Sequence, residues 1–368
     1  MDVERILAAT EDIITPVAVV DEETVERNLA RMAKLAADHN VKLRPHAKTH
    51  KSAYMAQRQM AHGAVGLTCA TFTEAEVFAD AGVDDLLIAH PPVGRPKLER
   101  LAALAKRIRR IAVSLDDVGI AKSLPDGVEV LWEVDPGQHR IGTAPGEPTV
   151  RAVQELVRAI GQQRFRGLIT HGGHVYAATN QKERQLAADQ ETDGISTTAD
   201  ILRKVGIEVR ELSVGSTPTT GLALRGGVTE IRPGTYIYGD ANQVTLGSQL
   251  LEDCALAVVA TVVSTPAPDR AVVDAGSKAL SADLKVAGQT GHGIVLGRYG
   301  LEVARLSEEH AVLKHPHQTG LSVGDRLAIV PTHVCTTVNL QPGPLLVSAG
   351  GHRWVAVDAR GWQWQADH

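Results

Sequence analysis

The chain has 368 residues, 43% hydrophobic and 22% charged, with a formal net charge of −5, so nothing points to the basic surface that nucleic-acid recognition needs. The opening Met-Asp-Val-Glu-Arg-Ile-Leu carries no basic n-region, and no stretch approaches the roughly 20 apolar residues of a membrane span. Cys69, Cys254 and Cys335 make no disulfide framework in a chain this long, and a reducing cytoplasm is the expected compartment.

Short apolar runs ending in polar residues recur at 41–48, 65–71, 85–90, 111–115, 128–135, 165–171, 209–215 and 230–238. Amphipathic stretches at 22–39, 73–81, 96–110, 148–162 and 183–205 lie between them. In the first, Val25, Leu29, Met32 and Leu35 fall on one helix face, with Asp21 placed to cap its start. About eight strands alternating with helices predict a parallel sheet closed into a (β/α)8 TIM-type barrel; a doubly wound open sheet is the alternative, without a Gly-x-Gly-x-x-Gly to support its nucleotide-binding form. After about residue 250 the helical periodicity fades. Strand-like runs at 256–264, 270–274, 293–295, 311–313, 325–330, 345–348 and 354–358 predict an antiparallel β domain. The expected organisation is α/β, with a barrel over 15–248 and a β domain formed by 1–14 and 249–368.

A barrel of this kind carries its chemistry at the C-terminal ends of its strands. Those ends supply His46, Lys48 and His50; Thr71; His90; Asp135 and Arg140; His171 and His174; Ser213–Thr217; Arg232 and Tyr236. Lys48 closes a run whose alternation puts Val41, Leu43 and Pro45 on the opposite side. Arg44, His46 and His50 are expected to give it a cationic neighbourhood that favours the free amine of Schiff-base chemistry; a solvated basic turn with Lys42 and Lys51 is the plainer alternative. Ser213-Val-Gly-Ser-Thr-Pro-Thr219 has the small residues and hydroxyls of a phosphate loop, or of a simple turn. If His333-Val-Cys335 is extended, its imidazole and thiolate share a side and suit Zn2+; a buried cysteine beside a surface histidine is the other reading.

Arg44-Pro-His-Ala-Lys-Thr-His-Lys51 resembles the lysine motif of the D-serine dehydratase and D-threonine aldolase family, fold-type III pyridoxal phosphate enzymes related to the alanine racemase barrel. The resemblance continues through Thr15-Pro16, Glu133-Val-Asp-Pro-Gly-Gln-His-Arg-Ile-Gly142, Gly215-Ser-Thr-Pro218, Ile231-Arg-Pro-Gly-Thr-Tyr236, Asp274-Ala-Gly-Ser-Lys278, Glu308-Glu-His310 and His333-Val-Cys335, and so spans nearly the whole chain. It implies that Lys48 carries pyridoxal 5'-phosphate as an aldimine, with Arg140 near the phenolic oxygen. It implies Gly215, Ser216 and Thr217 at the phosphate, backbone contacts there from Gly234 and Thr235, and Arg232 facing the pyridine nitrogen. His171, His174 and Tyr176 are implied to line the cofactor and substrate pocket, and His333 and Cys335 to hold a divalent metal, Zn2+ before Mn2+ or Mg2+. A homodimer acting on a small D-amino acid is the implied form.

The reaction implied first is dehydration and deamination of a D-β-hydroxy-α-amino acid such as D-serine. His-x-Cys, Gly-Ser-Thr-Pro and His171-Gly-Gly-His-Val-Tyr176 resemble the dehydratase branch, whereas aldolases more often resemble His-x-Asp. Retro-aldol cleavage to glycine and an aldehyde is the alternative, and Glu133-Val-Asp-Pro-Gly-Gln departs from both branches. A racemase would need a second base, for which Tyr299 is the only tyrosine in the C-terminal part. A non-catalytic pyridoxal phosphate carrier would have no use for the extra β domain.

Overall fold

A computed structural model describes residues 1–361; positions 362–368 of the expected β domain lie outside the described residues. The chain forms two compact units. One comprises Met1–Arg31, Thr49–Tyr54 and Thr235–Arg360, the other Met32–Lys48 and Met55–Gly234.

In the second unit eight strands run parallel in the order Lys42–Leu43, Glu230–Ile231, Glu211–Val214, Phe165–Ile169, Val128–Glu133, Arg110–Leu115, Asp85–Ile88, Leu67–Cys69. A parallel bridge between His46 and Thr68 joins the two ends, so the sheet is a closed barrel. Most of these strands are buried along their length, because helices cover the outside while side chains fill the inside.

The two-residue period of the strands sorts the interior into levels. At the N-terminal ends Arg44 binds Asp85 at 2.7 Å and Glu230 at 2.8 Å, and Arg166, at a register shift, binds Glu211 at 2.5 Å. Leu87, Ala112, Leu131 and Ile169 form an apolar layer. Two residues further along their strands come Ala89, Glu133 and His171, which line a cavity with His46, Lys48 and Arg232. Arg44 therefore belongs to a buried ion-pair layer and not to the surroundings of Lys48, contrary to the sequence expectation. His50 does not line that cavity either; its Nδ1 accepts from the Ser52 N–H at 3.1 Å.

The covering helices start where side chains can take up free backbone donors. Thr71 caps Phe72–Asp80 by accepting from the Glu74 N–H at 3.2 Å. Asn180 caps Gln181–Lys204 through the Glu183 N–H at 3.0 Å, which starts that helix earlier than its apolar periodicity indicates. Asp21 Oδ1 accepts from the Thr24 N–H at 3.0 Å at the start of Glu22–Asp38, as the sequence pattern anticipates.

In the other unit, Leu256–Ala267, Arg270–Val273, Ala311–Lys314, Glu302–Leu306, Gly293–Val295 and Arg326–Pro331 pair antiparallel in that order and close on themselves. Val258, Val262, Val273, Val303, Leu313 and Ile329 fill their interior. Val17–Asp21 extends this sheet by pairing with Leu256–Ala267 and Leu345–Ser348, although it lies within the span 15–248 expected for the barrel. Glu302–Leu306 escapes the sequence reading because most of its side chains are exposed or half-buried. Among the described residues the last strand is Gly351–Trp354 and not 354–358: Ala349 and Gly350 turn the chain into a hairpin that pairs Ser348 with Gly351. Among the described residues no helix is long and apolar enough to cross a membrane.

Candidate active site

The barrel cavity measures about 590 Å³ and opens at the C-terminal ends of the strands. Of the expected site residues, Lys48, Arg140, His171 and Arg232 line it, joined by His46, His90, Lys97 and Glu133. Lys48 lies in a short 3-10 turn, Ala47–Thr49, just past the first barrel strand. The alternation that puts Arg44 inside the barrel brings His46 up the same wall, and the 3-10 turn that follows adds Lys48 to the cavity lining.

Of the three cavity histidines, His46 and His171 are held well below the usual imidazole range, which favours the neutral ring. Burial pushes His171 well below its usual range, and Lys48, Arg140 and Arg232 push it the same way. His46 is lowered likewise, by burial and then by Lys48, Arg232, His171 and Arg140. His171 Nδ1 lies 2.6 Å from the Gly215 carbonyl oxygen. A carbonyl only accepts, so Nδ1 carries the proton and Nε2 keeps its lone pair.

Arg232 is buried, donating from Nη1 to Ser213 Oγ at 3.0 Å and from Nη2 to the Thr170 carbonyl. Burial lowers its pKa against the opposing pull of Glu133, Glu230 and Glu191. Glu133 accepts a hydrogen bond from Ser114, and burial raises its carboxyl pKa against the effect of that bond, Arg232 and Arg140. The cations that share the cavity with Lys48 are thus Arg140, Arg232 and Lys97, all distant in sequence, in place of its neighbour Arg44.

The remaining expected residues have other surroundings. Asp135 holds its own loop, accepting from the Gly137 and His139 N–H groups at 2.9 and 3.0 Å. His174 Nε2 meets Gln190 Oε1 at 3.1 Å, and Tyr176 sits in the 3-10 helix Gly173–Ala177; neither lines the cavity. The Gly215 N–H, expected to face phosphate, donates to Glu191 Oε1 at 2.9 Å. Gly215 is needed for close approach, since a Cβ there would lie 3.0 Å from Arg232 Cβ. Ser216 caps Thr217–Thr220. Gly234 ends the barrel unit's main segment, and Thr235 and Tyr236 fall in the other unit, where the buried Thr235 hydroxyl has no hydrogen-bond partner among the described residues.

In that other unit His333-Val-Cys335 is not extended. His333 is the N-cap of the helix Val334–Leu340, and the same Asp240 Oδ2 accepts from the Val334 N–H at 3.1 Å and from His333 Nδ1 at 3.0 Å. Helical geometry replaces strand alternation here, and the buried Asp240 satisfies the first of its free backbone donors. The His333 and Cys335 side chains still meet in a hydrogen bond, and Thr49 Oγ1 lies 3.2 Å from Cys335 Sγ. Although burial opposes its charge, Cys335 and Asp240 hold the His333 pKa well above its usual range. With Nδ1 turned to a carboxylate, Nε2 is the atom left to bind metal, the usual support for a metal-ligating histidine. Among the described residues no group of three or more histidines, cysteines and carboxylates is assembled, so the candidate metal donors there are this pair.

Sequence reasoning missed Glu133 as a site residue, though its place at a strand end was a usable signal. It also missed Glu191, in mid-helix, and Asp240, 93 positions before His333, neither of which carries a local motif.

The closed parallel barrel and the antiparallel β unit are those of the alanine racemase-like fold, for which pyridoxal phosphate is the expected cofactor. Residues 20–242 match the family model for the alanine racemase N-terminal domain, and 255–347 match that for a putative serine dehydratase domain. The D-threo-3-hydroxyaspartate dehydratase of Delftia sp. (strain HT23) is 34% identical over 373 residues, covering 95% of this chain and 98% of its own. The D-threonine aldolase of Arthrobacter sp is 34% identical over 347 residues, covering 91% and 89%. The crystal structure of D-threonine aldolase from Filomicrobium marinum matches with a TM-score of 0.86 at 35% identity, over 95% of this chain and 96% of that one. The chain belongs to the D-serine dehydratase and D-threonine aldolase family of lyases.

Proposed function

We propose that the protein is a pyridoxal phosphate- and divalent-metal-dependent lyase that dehydrates and deaminates a D-β-hydroxy-α-amino acid. The observation that carries the cofactor half of this reading is the convergence of Lys48, neutral His171, Arg140 and Arg232 on one cavity. These residues fit the group: an amine to attach it, a neutral imidazole beside a flat ring, and cations for its anionic substituents. Bound there, pyridoxal phosphate supplies an electron sink for charge developing at the substrate α-carbon. Lys48 would hold the cofactor and, as a free amine, is the base for the substrate α-proton. Arg140, at the rim, orients anionic oxygens, and His171 keeps its unprotonated Nε2 towards the cavity.

His333 and Cys335 fit zinc, a metal that takes one imidazole and one thiolate readily. A bound metal supplies a Lewis acid for the substrate hydroxyl. The related Delftia dehydratase has been solved as a cysteine-to-alanine mutant in the metal-free form, which supports a metal role for a cysteine in that relative. A homodimer is proposed on the family resemblance.

Aldol cleavage is the second reading, favoured by the D-threonine aldolase being as similar to this chain as the Delftia dehydratase. Incubation with D-serine, D-threonine and D-threo-3-hydroxyaspartate separates the two. Keto acid plus ammonia marks dehydration, and glycine plus aldehyde marks cleavage. Formation of the L-isomer alone would overturn both.

A further inference from the structure

We infer that Glu191 is a positioning residue for the cofactor site, a carboxylate clamp that fixes the tautomer of His171 and the start of the Gly215–Thr219 loop. This rests on reading the cavity as the cofactor site. Glu191 lies in the middle of the helix Gln181–Lys204 and is completely buried. Its Oε1 accepts from the Gly172 N–H and the Gly215 N–H, each at 2.9 Å, and its Oε2 accepts from Thr219 Oγ1 at 2.9 Å. Gly172 and Gly215 follow two neighbouring barrel strands, Phe165–Ile169 and Glu211–Val214. One side chain therefore ties together the two loops that flank the His171 hydrogen bond.

The peptide joining His171 to Gly172 and the peptide entering Gly215 are both held by Glu191, while the Gly215 carbonyl receives the His171 Nδ1 proton at 2.6 Å. The geometry leaves no slack. A Cβ at Gly172 would come within 2.5 Å of Glu191 Oε2. The clamp reaches one step further: Thr219 gives its single hydroxyl proton to Glu191, so in the Ser216–Thr219 pair at 2.9 Å it is Ser216 that donates. The carboxylate thus orders the first hydroxyl of the loop as well. Burial raises the carboxyl pKa while the three donors and Arg232 pull it down, a burden a helix residue facing only apolar packing would not carry. Without Glu191, two buried loop N–H groups would lose their acceptor.

The test compares Glu191→Ala, Glu191→Asp and Glu191→Gln. Two readouts are taken: the nitrogen-15 shifts of His171 in cofactor-free protein, and the dissociation constant for pyridoxal 5'-phosphate by titration of the visible absorbance. Alanine removes the clamp and aspartate withdraws it by one methylene, so both should lose the fixed Nδ1–H tautomer and bind cofactor about tenfold more weakly. Glutamine keeps an acceptor oxygen for both N–H groups and should retain the tautomer and bind within about threefold of the native chain. If alanine does not fold, as judged by circular dichroism, the aspartate and glutamine pair decides. Native tautomer and native cofactor affinity in the aspartate or alanine variant would overturn the clamp. Failure of the native protein to bind the cofactor would instead overturn the proposed function, with the tautomer readout still deciding the clamp.

Discussion

His333 Nδ1 donates to the buried Asp240 Oδ2 at 3.0 Å, so the imidazole next to Cys335 is oriented by a carboxylate 93 positions earlier in the chain. The same oxygen takes the Val334 N–H, while Oδ1 caps Ala241–Thr245 through the Gln243 N–H at 2.8 Å. Asp240→Asn removes the charge while keeping an oxygen for the cap, and metal affinity should drop about 10- to 100-fold. Zinc retained after dialysis, measured by elemental analysis, checks this. Cys335→Ala should lower zinc content further; undiminished zinc in that variant would remove the pair from the metal site.

Lys48 is the amine on the cavity wall from which the proposed chemistry starts. Lys48→Ala should lack the visible absorbance of a lysine-bound pyridoxal cofactor and lose more than about a thousandfold in turnover. Spectra after gel filtration, with steady-state assays, read both. Full activity in this variant would sink the cofactor assignment.

Acid should weaken the cofactor-free protein through His46 and His171. Both folded pKa values lie well below 6.5, so the unfolded chain binds these protons first as pH falls. Their contribution is complete above about pH 6.5 and is lost as pH drops from there towards the folded values, with a slope of at most about 1.4 kcal/mol per pH unit for each histidine. Denaturant unfolding at pH 7 and pH 5 measures the slope, and His46→Asn should flatten it. An unchanged slope in that variant would show that His46 takes no part.

The ion-pair layer at the other end of the barrel predicts a stability effect away from the chemistry. Arg44→Met strands the buried Asp85 and Glu230 carboxylates and should destabilise the barrel by about 3–5 kcal/mol. Arg44 does not line the cavity, so cofactor affinity of the folded fraction should stay near the native value. The midpoint of urea unfolding and the cofactor titration read the two effects separately.

Much of the fold is legible in the sequence because strand burial and helix amphipathicity are local. Runs such as 85–90 and 165–171 alternate in register with the barrel interior, which is why polar strand ends found Lys48, Arg140, His171 and Arg232. The same local reading misplaced Arg44 and His50, since proximity along the chain says nothing about which barrel level a side chain enters. It gave His333-Val-Cys335 a strand geometry because the helix there depends on a distant cap.

The alternation of strands and helices, the lysine at the first strand end and the ordered motifs of the family are all readable from the order of residues. The electrostatics of the site come from folding. Neutral His171, the pairing of Arg232 with Ser213 and Thr170, the Glu191 clamp and the Asp240 support for His333 all join residues between 19 and 93 positions apart. Hydrogen bonding and desolvation act over a few ångströms of space, and barrel closure alone sets which distant side chains come that close.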